Sequence, residues 1–109
     1  MLTDETRAVL RAARELVARG WNQGSYAVDA EGRRTAWGGD DAVAWCAVGA
    51  THRSAGRSGP ILPAITALRA AVGLPPDVTL PEWNDAPERT QAEVLAALDR
   101  AANPEGDNP

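Results

Sequence analysis

Nine consecutive residues, Ala42 to Ala50, carry no charge, and they sit inside the stretch DAVAWCAVGATH at residues 41–52. A helix apolar on every side belongs inside a protein with other elements packed around it, and this one is too short for the ~20 residues a bilayer requires. The stretch therefore predicts a central buried helix. As a helix it places Val43, Cys46, Ala47 and Ala50 on one face and Trp45, Val48, Gly49 and His52 on the opposite one, so both faces need neighbours. Gly49 lowers helix propensity by ~1 kcal/mol relative to Ala, which points to a close approach there, by another backbone in preference to a ligand.

The neighbours follow along the chain. Val9, Leu10, Ala13, Leu16 and Val17 recur at helical spacing over residues 4–19, with Thr3 or Asp4 as the cap and Gly20 as a left-handed stop. Tyr26 and Val28 alternate with small or polar residues ahead of a turn-like segment at 29–32, predicting a small hairpin whose second arm lies near residues 33–35. Trp37-Gly38-Gly39 then approaches Asp40 or Asp41, either of which can cap the central helix. Residues 52–59 read as a connection. They are locally basic through Arg53 and Arg57 but lack the preceding strand and the Lys of a nucleotide phosphate loop.

A third helix begins at Pro60 or Pro63 and runs through Ile65, Leu68 and Val72 to a stop at Gly73. Residues 77–82 read as extended or a single turn. Thr90 and Glu93 have capping-box spacing for a fourth helix over about residues 91–101, with Val94, Leu95 and Leu98 inward. The expected fold is mainly α: a compact four-helix domain with a central buried helix and a small β-hairpin. It forms a single domain over residues 1–102, followed by a flexible polar tail at 103–109.

Composition narrows the function classes. At 109 residues, with 44% hydrophobic and 24% charged side chains, the chain suits one globular domain. A single cysteine excludes an intrachain disulfide framework, and the polar N-terminus lacks the pattern of a secretory signal, so a cytoplasmic setting is expected. The net charge of −4 is unevenly spread: residues 1–53 carry seven Arg against seven acids, residues 77–109 two Arg against eight. Nucleic-acid binding, which needs a basic stripe, is disfavoured, as is a membrane span. An acidic face suits a basic protein partner, although a solvated surface is the commoner role.

Four residues are candidates for chemistry. Cys46 and His52, six apart on one helix, would point ~120° from each other and so fail as a nucleophile and its base. A mid-helix Cys in an apolar run reads as a small core residue with an inert thiol, and Cys46→Ser is expected to lower stability by burying a hydroxyl. One Cys and one His make a poor metal set, and neither metal nor cofactor is expected. Asn84 and Asp85 have three open roles: receiving the orphan donors of another helix, ordering the turn, or facing a pocket as base and orienting amide. The two structural roles outweigh the third. Trp21, Trp37, Trp45 and Trp83 can form one cluster or leave an aromatic anchor exposed, with Trp37 the best candidate for exposure. Trp37, Trp83, Arg53 and Arg57 are accordingly the candidate binding residues.

Three segments carry a resemblance: Gly20-Trp21-x-Gln23-Gly24-x-Tyr26-Ala27, Trp45-Cys46-Ala47-x-Gly49-Ala50, and Trp83-Asn84-Asp85-Ala86-Pro87-x-Arg89-Thr90-x-Ala92-Glu93-Val94-Leu95. They resemble a family of short bacterial and phage proteins catalogued only as a domain of unknown function. The match spans roughly residues 16–102, and the third segment is the most specific. The resemblance implies a shared fold and directs attention to Trp45, Cys46, Asn84 and Asp85, without bringing an activity. The family tends to carry Gly where this chain has Glu88, which argues against a left-handed turn there. The expected function is that of a small cytoplasmic accessory or regulatory protein acting through contact with an unidentified protein partner. A phage or mobile-element origin, an inhibitory action on a host system, and self-association are all compatible with it. The alternative is a small enzyme or ligand-binding domain whose Cys46, His52, Asn84 and Asp85 are brought together across helices.

Overall fold

The computed structural model describes residues 2–104, and the expected tail beyond them, residues 105–109, lies outside the described residues. Helix α1 (Asp4–Arg19) starts at Thr3, whose hydroxyl accepts a hydrogen bond from the Thr6 amide, and buries Val9, Leu10, Ala13 and Val17 as their spacing predicts. The uncharged stretch is where structure and expectation part. It divides at Cys46: Ala44–Trp45 form a strand, β2, antiparallel to β1 (Ala27–Val28), and helix α2 (Ala47–Ala55) begins only afterwards.

The reason lies in the partners available to Trp45. Its amide donates to the Gly20 carbonyl at 3.0 Å and its carbonyl accepts from the Asn22 amide at 3.1 Å, in a parallel bridge with Trp21. Its backbone polar groups are thus satisfied across the chain without a helix, and a short apolar run is equally compatible with a buried strand. Asp40 and Asp41 consequently do not cap α2. Asp41 accepts the Thr35 hydroxyl at 2.7 Å, and Cys46 holds the cap position. Val43, placed by the helical reading on a buried face, is 47% exposed. Residues 52–55, expected as loop, are the last turn of α2.

The burial itself is as expected. Trp45 through Thr51 is buried, and α2 packs against α1, α3 (Ile61–Val72) and α4 (Leu80–Asn84). Helix α4 is the single turn expected after Pro76, and its Thr79–Glu82 capping box holds the Glu82 carboxyl below the usual carboxylate range through the Thr79 amide and hydroxyl. Helix α5 (Gln91–Ala102) opens on the Thr90–Glu93 box and lies against α1 and α3. Its far end is tied to α1 by Arg14 on Asp99 at 2.9 Å and by Arg7 on the Ala102 carbonyl. The architecture is mainly α with a small hairpin, and no helix among the described residues is long and apolar enough to cross a membrane.

The expected hairpin turn at residues 29–32 is present. The Asp29 carboxylate accepts the Arg33 and Glu31 amides, which hold it below its ordinary range. Its second arm is short: Val28 bridges Arg34, flanked by the Asp29 amide on the Arg33 carbonyl at 2.8 Å and the Thr35 amide on the Ala27 carbonyl at 3.1 Å, while β2 pairs with β1 through other backbone groups. No non-glycine residue described has a positive φ, so Glu88 makes no left-handed turn.

Gly20 and Gly49 are both required by crowding. Gly20 is extended, at φ −172°, and so is not the left-handed stop its position suggests. A β-carbon there would strike the Val43 carbonyl. At Gly49 a β-carbon would fall on the Tyr26 carbonyl oxygen and within 2.9 Å of its carbon, the close backbone approach that a helical glycine implied. Gly49→Ala should gain ~1 kcal/mol of helix propensity yet lose about 3 kcal/mol or more overall, because backbone must move. Denaturant melts check this, and an unchanged or raised midpoint would show that the two backbones do not meet.

Candidate functional site

The junction of β2, α2 and α4 is built around one side chain. Asn84, the last residue of α4, is completely buried. Its Oδ1 accepts from Trp21 Nε1 at 2.9 Å and from the Ala47 amide at 3.1 Å, and its Nδ2 donates to the Asn22 carbonyl at 3.0 Å and to Asp85 Oδ1 at 2.9 Å. The Ala47 amide is one of the N–H groups that a helix start leaves without an internal partner. Both donors and both acceptor positions of the carboxamide are therefore occupied.

Asp85 continues the same work: its Oδ1 also accepts the Gly24 amide at 3.0 Å. Gln23 reaches across to the Asn84 and Ala86 carbonyls at 2.9 and 3.0 Å, so the turn at residues 22–25 is pinned to the end of α4. Asn84 thus receives an orphan donor of another helix, one of the roles open to it in the sequence, while Asp85 ties down the turn at 22–25 and not its own. Asp85 in addition faces a cleft of about 540 Å³, which opens between the turn at 24–26 and the segment at 34–37.

Cys46 forms part of that cleft's wall, although it is only 2% exposed. It precedes α2 as the N-cap, with Sγ accepting the Gly49 amide at 3.3 Å. The helical-angle argument against a Cys46–His52 pair therefore does not apply to it, and the two are set apart by what each engages. Burial pushes the Cys46 thiol up, outweighing the Gly49 hydrogen bond that favours the thiolate, so near neutral pH it is a protonated, weak nucleophile. The His52 ring stacks on Trp37 at 5.3 Å between centroids and leans on Tyr26 at 6.5 Å. Cys46 and Asp85 share one cleft, Asn84 is consumed beside it, and His52 lies behind its aromatic residues. Among the described residues, no three His, Cys, Asp or Glu side chains gather as a metal set.

The candidate binding residues are largely engaged in the framework. Arg53 donates to the Gly39 and Trp37 carbonyls at 2.9 and 3.3 Å, and its guanidinium lies 5.3 Å over the Trp45 ring, bracing the loop at 37–39. Trp37 is half-buried, its carbonyl also accepting Trp45 Nε1 at 3.1 Å. Trp83 is half-buried under Arg89, which lies 4.1 Å from its ring and donates to its carbonyl. Arg57 is exposed just beyond α2.

Trp37 lines the 540 Å³ cleft, and residues outside those candidates line the open spaces with it. Tyr26 and Arg34 line the 540 Å³ cleft, and Leu62, 75% exposed, lines a groove of about 810 Å³ between α3 and α5. The signal for Leu62 was present: Ile61-Leu62-Pro63-Ala64-Ile65 holds more apolar residues than one buried helix face needs.

Two substitutions separate framework from chemistry. Asn84→Ala strands the buried Ala47 amide, leaves the half-buried Trp21 indole and Asn22 carbonyl without their partner, and should cost about 3 kcal/mol or more by chemical denaturation; a loss under about 1 kcal/mol would show that solvent satisfies these groups. At Cys46 the expectation reverses. Serine is a strong N-cap and its hydroxyl can take the Gly49 amide, so Cys46→Ser should stay within about 0.5 kcal/mol of the parent, whereas Cys46→Ala should lose about 1–2 kcal/mol. Because the unfolded thiol ionises near ~8.5 and the folded one higher, the parent should lose stability as pH rises past that value and Cys46→Ser should lack this component. Melts of the three proteins across pH decide it, and equal losses for Ser and Ala would remove the capping role.

No curated protein and no solved structure matches the chain. The model of the family of unknown function DUF6197 matches residues 1–104, nearly the whole chain, and the protein belongs to that family.

Proposed function

We propose that this protein is an accessory or regulatory protein of the cytoplasm that works by contact with a protein partner and not by catalysis. The observation that carries this reading is Leu62, 75% exposed on α3 beside the groove toward α5. Helix α3 buries Ala64 and Leu68 in the core, so the Leu62 side chain is not required by the fold. Leu62 extends the apolar lining of the groove formed by Pro63, Ala67, Ala71 and Ala101, contiguous apolar surface of the kind that docks a partner, and a groove between two helices suits an amphipathic helix. Ala67, Ala71 and Ala101 on its walls leave room for that helix to lie close.

The excess of acids in residues 77–109 favours a partner with basic flanks. Against catalysis stand the neutral, capped thiol of Cys46 and the fully used carboxamide of Asn84. A phage or mobile-element origin, with a host protein as target, fits a family of such short chains.

Leu62→Glu tests the proposal. An exposed site should tolerate the change within about 0.5 kcal/mol, a shift in melting temperature of about 4 °C or less. Cross-linking in source cells should then join a specific basic protein to the parent and not to the variant. Recovery of the same proteins with both chains, or of none with either, overturns the proposal; so does a self-association abolished by Leu62→Glu, which would make the partner a second copy.

A further inference from the structure

We infer that the cleft between the turn at 24–26 and the segment at 34–37 binds a small aromatic carboxylate that carries a hydrogen-bond donor at its opposite end. The cleft lies apart from the α3–α5 groove and shares no lining residue with it, so this inference goes beyond the partner-binding reading. Its volume of about 540 Å³ falls among those of small-molecule sites, which are mostly apolar with a few placed polar groups. Tyr26 and Trp37 supply aromatic surface. Trp37 is held before any ligand arrives, its ring on His52 and its carbonyl bonded to Trp45 Nε1 and Arg53. The Tyr26 carbonyl accepts the Cys46 amide at 3.2 Å, which fixes its backbone while the residue stays 48% exposed.

The charges at the cleft give the ligand a direction. Among the described residues, Arg34 has no carboxylate within ion-pairing distance, whereas its neighbour Arg33 is paired with Asp29 and Glu31. The Arg34 backbone is set by its bridge to Val28, and the Thr35 amide next to it donates to the Ala27 carbonyl. Guanidinium forks pair with planar carboxylates through two parallel hydrogen bonds. Asp85 lines the same cleft, and its Oδ1 is taken by Gly24 and Asn84 while Oδ2 has no partner among the described residues. Asp85 repels an anion and accepts a donor. A carboxylate therefore goes to Arg34, a donor to Asp85, and the flat ring lies along Tyr26 and Trp37.

Para-aminobenzoate carries all three features; benzoate lacks the donor and aniline lacks the anion. Titration of each into the full chain, followed by calorimetry and by the indole N–H resonances, reads the site directly. Para-aminobenzoate should saturate with a dissociation constant on the order of 1 mM or tighter, shift the Trp37 indole signal, and bind about tenfold more tightly than either fragment. Arg34→Gln should weaken it about tenfold with the fold intact by circular dichroism, and Leu62→Glu should leave it unchanged. Equal binding by Arg34→Gln, a response centred on Leu62, or no saturation by roughly 10 mM overturns the inference, whatever the result of the partner experiment.

Discussion

The carboxamide of Asn84 is the interaction on which the rest of the fold depends. Through four hydrogen bonds of 2.9–3.1 Å it joins the end of α4 to the start of α2, to the Trp21 indole and to the Asn22 carbonyl. Asn84 is wholly buried, and the Ala47 amide it accepts from is buried with it. A buried polar group left unpaired costs more than its hydrogen bond contributes when made, so the segments holding its partners have one arrangement in which the account closes. Trp21 is thereby held beside Trp45, Trp45 beside Ala27, and the entry to α2 is set. A five-residue helix thus positions much longer ones, an effect its own burial of Leu80 does not suggest.

The start of α2 shows how two side chains divide one task. A helix leaves its first N–H groups unpaired, and here Asn84 takes the Ala47 amide while Cys46 Sγ takes that of Gly49. A thiol is a weak acceptor and an unusual cap, which is why an apolar run containing Cys46 reads as uninterrupted helix. Beyond the cap, Gly49 lets the backbone of Tyr26 lie against α2, and the Tyr26 carbonyl accepts the Cys46 amide. The absence of a side chain at one position and the presence of sulfur at another thus serve the same contact between β1 and the helix.

What was legible in the residues was whatever is decided locally. The face of α1, its Thr3 cap, the Thr90–Glu93 box of α5, the stop at Gly73 and the close contact implied by Gly49 each depend on neighbours within a few positions, and each is where its spacing says. Strand β2 was not legible, because Trp45 is extended on account of Gly20, Asn22 and Ala27, which lie some twenty residues away in sequence. Gly20 misleads for the same reason: after an amphipathic helix it resembles a left-handed stop, but the carbonyl that excludes a β-carbon there belongs to Val43. At the site, Asn84 was visible as a receiver of orphan helix donors, whereas Tyr26 and Arg34 were not visible, since nothing in a turn's sequence states which loop will face it.

Polar groups that look chemical in a sequence are also those best able to hold a small fold together, and here the fold has used them first. Cys46 caps, His52 stacks, Arg53 braces and Asn84 binds three segments. Each is removed from the pool available for recognition by the same hydrogen bonds or contacts that make it important. At the cleft and the groove the framework leaves a plainer set open to solvent: the Arg34 guanidinium, the second oxygen of Asp85, the exposed part of Tyr26 and the aliphatic chain of Leu62. On the proposed reading, recognition falls to groups the framework does not need, presented on a backbone held by the groups it does.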